Sequence, residues 1–163
     1  MAGHGRLGTW LLTLARLALA AAMGIAGASK LGDPAAVRLA VAGYGILPPA
    51  LVPPVAAVLP WLELALAVYL AAGLYGRAAA VATGLLLLAF EVALAVGWAH
   101  HVTAPCGCFG TGGAPPGPGD MIRDAVLLGL ATWVAVAGPG PWSLDGWRGA
   151  DPGRRSLRRP GED

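Results

Sequence analysis

Four apolar stretches of membrane-spanning length, at roughly 7–28, 52–74, 78–99 and 121–138, constrain this chain more than anything else in it. A helix of about 20 apolar residues covers the ~30 Å of hydrocarbon in a bilayer. In that medium every backbone N–H and C=O must be satisfied within the protein. The expected fold is therefore all-α, a four-transmembrane-helix bundle. With 56% hydrophobic and 12% charged residues and a mean hydropathy of +0.65, the chain lies far from a soluble average. Its 163 residues allow one membrane domain, 1–138, followed by an Arg-rich tail, 139–163, that reads as disordered and cytoplasmic. A cleaved signal peptide is the competing reading of the first stretch. Arg16 interrupts that stretch, which also outruns the ~7–15 residues of a signal core, so the first span is expected to stay.

The distribution of cations orients the bundle, since short cytoplasmic segments carry the excess of Lys and Arg. Four spans put both termini on one side, together with Arg6, Arg77, Arg148, Arg154, Arg155, Arg158 and Arg159. The opposite side holds Lys30 and Arg38, with Arg123 at the mouth of the last span. Both termini are thus expected in the cytoplasm of a multi-pass protein of the cell membrane. The basic tail is a topology determinant against anionic lipid, not a nucleic-acid patch.

Between the spans, Asp33 and Pro34 form a helix start, carboxylate cap followed by first-turn proline, for a short surface helix to about Val41. The stretch from Gly43 through Pro48 and Pro49 to Pro53 and Pro54 reads as a structured outer loop. Only a few residues around Tyr75-Gly76-Arg77 join the second and third spans, which must form an antiparallel hairpin. The longest outer loop, His100 to Asp120, is rich in Gly and Pro and has no helical period.

That loop holds the only two cysteines, in Pro105-Cys106-Gly107-Cys108-Phe109-Gly110. Residues i and i+2 of an extended segment point the same way, and Gly107 lets the backbone bend between them. A disulfide across so small a ring would be strained and readily exchanged. Facing outward, it lies where disulfides form and persist. The plainer readings are a static clip or two small turn residues. His100 and His101 could complete a four-ligand set with the cysteines for a soft metal, but adjacent histidines rarely converge on one ion, and no metal is assigned.

Glu63 lies at mid-depth in the second span and must face the bundle interior toward a partner. Arg16, at similar depth in the first span, is the expected one, with Glu91 of the third span competing for it. A structural ion pair and a proton path both fit this arrangement. Arg123 and Asp124 open the last span. Asp124 is expected as an interfacial helix-start charge, and Arg123 could favour a nearby thiolate.

The order of these features resembles the DoxX-like membrane proteins and, more closely, the methylamine utilisation MauE family. The carriers, over roughly Arg16 to Trp133, are Arg16, Lys30-Leu31 with Asp33-Pro34, Tyr44 with Leu47-Pro48, Leu59-Pro60 with Glu63, Cys106-Gly107-Cys108-Phe109-Gly110 and Arg123-Asp124. The resemblance implies a four-helix membrane protein that supports disulfide formation or maturation of an extracytoplasmic partner, beside a thioredoxin-like protein. It carries over Cys106 and Cys108 as the redox pair, with Lys30, Glu63 and Arg123 less directly. The expected function is thiol–disulfide exchange by Cys106 and Cys108, with Lys30 or Arg123 favouring the thiolate and Glu63 with Arg16 bracing the bundle or passing a proton. A quinone between the helices would be the natural membrane acceptor, although no quinone site shows in the sequence. The alternatives are a noncatalytic scaffold with a structural Cys106–Cys108 disulfide, a metal-handling protein, and a transporter using the intramembrane acids Glu63 and Glu91, which no paired broken-helix pattern favours.

Overall fold

A computed structural model describes residues 6–100 and 117–138 together with 140, 143 and 144. Among these residues the regular structure is helical: α1 (Arg6–Leu31), α2 (Pro34–Gly43), α3 (Val52–Ala72), α4 (Gly76–Ala99) and α5 (Pro118–Ala137). Three of them, α1 from Trp10 onward, α3 and α4, are long and apolar enough to cross a membrane. The stretch expected as a fourth span is α5, whose opening turns carry Asp120, Arg123 and Asp124.

The local signals explain where each helix starts and stops. Asp33 caps α2 as its spacing suggested, its Oδ1 accepting the Ala36 N–H at 3.0 Å, with Pro34 in the first turn. Pro53 and Pro54 fall in the first turn of α3, where the N–H that proline lacks has no intrahelical partner to lose. The prolines expected in the preceding loop therefore begin the helix. At the other end of α3, Gly73 takes the left-handed conformation (φ 65°) and donates to the Leu70 carbonyl, while Leu74 N–H reaches Tyr69 O. This turn delivers the chain to α4 within a few residues, as the short connection required.

The helices α1, α3, α4 and α5 pack in that order as a ring, with the most extensive contacts between α1 and α3 and between α4 and α5. Both of those pairs run antiparallel. Arg16 meets Leu70 and Gly27 meets Pro60, whereas Arg77 meets Val136 and Gly84 meets Ala131. The apolar core at the ring's centre includes Leu19, Met23, Leu70, Leu87, Ala131 and Val134. Outward-facing positions are also apolar, among them Ile25, Val68, Leu85, Val92, Ile122 and Val136, each more than half exposed. A soluble monomer rarely presents so continuous an apolar exterior, which lipid covers without cost.

One corner of the ring is irregular. Lys30, in the last turn of α1, meets Glu63 at the middle of α3. At 1.5 Å per residue α3 runs on for roughly 15 Å with no α1 beside it. The short helix α2 packs there instead, burying Val37 and Ala40.

Candidate functional site

The polar interior of the bundle divides into two levels. At the turn end, where α3 meets α4, Arg16 is only 2% exposed and its Nη1 donates to the carbonyls of Leu70 at 2.7 Å and Ala71 at 3.2 Å. These belong to the last turn of α3, whose carbonyls have no intrahelical donors left, and a cation there also meets the negative end of the helix dipole. Arg77 does the same for α5, donating to Val136 O at 2.8 Å. The structure therefore corrects the expected pairing of Arg16 with Glu63: the arginine sits about two turns too far along α3 and serves as a helix cap.

Glu63 is held by Lys30. The ammonium donates to both carboxylate oxygens, at 2.7 Å and 2.9 Å, with the two side chains 3% and 0% exposed. The face of Phe90 lies under the same ammonium, 5.5 Å from ring centre to Nζ, a cation–π contact that stabilises the charge from its apolar side. The expected first span ended at residue 28, but α1 runs on to Leu31 and carries Lys30 into the interior on nearly the same face as Arg16.

Beside this pair, α5 contributes a second cluster. Arg123 donates through Nη1 to Asp120 Oδ1 and through Nε to Asp124 Oδ1, both at 3.1 Å. Asp120 Oδ2 also accepts the Gly117 N–H at 3.2 Å, closing the helix start. Asp124 was expected at the interface; it is 2% exposed and faces the bundle, so the reading as a simple helix-start charge is corrected. Helix geometry accounts for this. In helical register Asp124 lies on the same face as Ala131, two turns further along, and that residue is fully buried. Among the described residues, Glu91 Oε2 and Asp124 Oδ2 are buried oxygens without a hydrogen-bond partner.

Lys30 and Phe90 also line a crevice of about 620 Å³ in the irregular corner where α1 has stopped. Tyr44, Leu59, Leu86 and Ala93 complete its principal walls, which are otherwise aliphatic. Its mouth opens between α2 and α4 past Leu85, Leu88 and Val92, all exposed on the outer face.

Cys106 and Cys108 lie outside the described residues, as do His101 and most of the basic tail. His100 is exposed at the end of α4. The structure thus brings together Lys30 and Glu63, sets Arg123 with Asp120 and Asp124 nearby, and places Arg16 elsewhere.

No curated protein and no solved structure matches the chain. The family model for methylamine utilisation protein MauE matches residues 8–137, most of the chain and all of the helical bundle but the first two residues of α1. That match does not extend to the DoxX-like proteins. With its long apolar helices this is a multi-pass membrane protein, and it belongs to the MauE family.

Proposed function

We propose that the protein is a membrane thiol–disulfide exchange component in which Cys106 and Cys108 alternate between dithiol and disulfide, supporting maturation of an extracytoplasmic partner through a thioredoxin-like protein. The observation that carries this reading is where the cysteines fall in the chain. They are its only two, they lie in the connection between α4 and α5, and the opening turns of α5, where that connection finishes, carry the Arg123–Asp124 pair. In this reading α5 is the fourth span, with Arg123 paired to both Asp120 and Asp124 at its start and offsetting part of their charge at the membrane surface. Both termini are cytoplasmic, on the strength of the arginine distribution, and the connection faces outward. Exchange requires a thiolate, and Arg123, about a third exposed at the start of α5, is the cation best placed in sequence to favour one. Lys30 is deeply engaged with Glu63, which gives that pair a bracing role.

Trapping tests the function. With Cys106→Ser or Cys108→Ser expressed singly in cells, the remaining thiol is expected to accumulate as a mixed disulfide with an extracytoplasmic protein. No adduct from either variant at normal expression would favour a noncatalytic scaffold in which the pair is a clip, a reading that the buried ion pairs also suit.

A further inference from the structure

The crevice beside Lys30 has features that select a ligand. Its volume of about 620 Å³ lies in the range of small-molecule sites, ~300–1,000 Å³. Leu85, Leu88 and Val92 at its mouth are exposed on the apolar exterior, so an occupant arrives laterally from the hydrocarbon rather than from water. Three groups interrupt the aliphatic lining: the Lys30 side chain, the Phe90 ring and Tyr44. A saturated acyl chain gains nothing from an ammonium and keeps it desolvated. An anionic headgroup would meet the Glu63 carboxylate that already holds Lys30 at 2.7 Å. The chemistry that fits is a neutral, flat, lipid-soluble molecule whose carbonyl oxygen accepts from a cation and whose ring lies against an aromatic face.

We propose that this crevice binds a lipid-soluble quinone, which accepts the electrons of the Cys106/Cys108 dithiol. The second half of the inference rests on the exchange function proposed above. The step balances: two S–H bonds break, one S–S bond forms, and the electron pair with two protons passes to the quinone oxygens, giving a quinol. The crevice is lined by α4 from Leu85 to Leu94, and α4 ends at Ala99. At 1.5 Å per residue its upper wall is within about 10 Å of the start of the cysteine-bearing connection.

The full-length protein in lipid nanodiscs, titrated with a short-tailed benzoquinone and followed by tryptophan quenching, tests the site. Wild type is expected to quench saturably. Ala89→Phe combined with Ala93→Phe fills the crevice and is expected to weaken binding about tenfold or more. Val68→Phe, exposed on the opposite face of α3 from the crevice residue Leu59, should leave affinity unchanged. The Cys106→Ser/Cys108→Ser variant should bind as wild type does, while only reduced wild type converts the quinone to quinol. Quenching that grows without saturation and is equal in the filled variant would show bilayer lipid as the only occupant and overturn the inference. Saturable binding with no quinol formed by reduced wild type would overturn the acceptor role. A mixed disulfide trapped from a single-cysteine variant alongside either result would leave the exchange function standing and this inference alone refuted.

Discussion

At the residue scale, the ion pair between Lys30 and Glu63 shows how a membrane interior treats charge. Each group alone would be a desolvated ion; together, with both carboxylate oxygens and the face of Phe90 engaged, they are compensated. Glu63→Ala leaves the ammonium buried beside a cavity and is expected to destabilise the fold by about 3–5 kcal/mol. The paired change Lys30→Met with Glu63→Leu should recover most of that loss, because it removes both charges and keeps the volume. Thermal unfolding in detergent checks both, and a double variant as unstable as Glu63→Ala would show that the charges do more than compensate each other. Gly73 makes a second case. Its φ of 65° disfavours any side chain, and a Cβ would collide with Arg16 and with Ser143, which is buried against this turn. Gly73→Ala should cost about 1–3 kcal/mol by combining backbone strain with displacement of the Arg16 cap, measured by the same unfolding assay.

At the element scale, glycines that look alike in sequence differ in what surrounds them. A Cβ on Gly27 would come within 2.9 Å of both Leu64 Cγ and Pro60 O, so α1 and α3 approach closely only because this residue is bare. A Cβ on Gly129 would meet nothing. Gly27→Ala is therefore expected to lower stability by about 1–3 kcal/mol and to loosen the Lys30–Glu63 contact one turn away. Gly129→Ala should be neutral or stabilising by up to about 1 kcal/mol through helix propensity alone. Equal effects from the two would contradict the packing described for α1 and α3. The helices themselves were legible in the sequence, because apolar length, Asp33 with Pro34, and the short turn at Tyr75 are local signals. The partner of Glu63 was not. Depth counted along separate spans assumes that the helices are level, and α1 is shifted along α3, which sets Lys30 and not Arg16 opposite Glu63. The burial of Asp124 was missed for a related reason: position near a helix start says nothing about which face that turn presents. The crevice had no sequence signal, since it arises from the absence of one helix beside another.

At the scale of the whole molecule, the ring of α1, α3, α4 and α5 turns an apolar exterior outward and keeps its charges inside or at its ends. Arg16 and Arg77 both work at the end where α3 and α5 stop, and the sequence that follows α5 is rich in arginine. That asymmetry gives a direct prediction. On intact cells, after mild reduction, a membrane-impermeant thiol reagent is expected to label Cys106 and Cys108, and Cys106→Ser/Cys108→Ser should abolish the signal. Labelling only after the membrane is ruptured would reverse the orientation and remove the oxidising surroundings that the proposed exchange needs.

The stagger of α1 against α3 also bears on how the chain is made. The carboxylate that meets Lys30 comes 33 residues later, so the ribosome finishes the first helix well before it has synthesised the acid that will accompany that helix in lipid. Insertion of α1 is then a provisional event, secured only when the second long helix emerges. A nascent chain ending before residue 52 should be retained poorly in the bilayer and cleared by quality control, whereas one extended through Ala72 should persist.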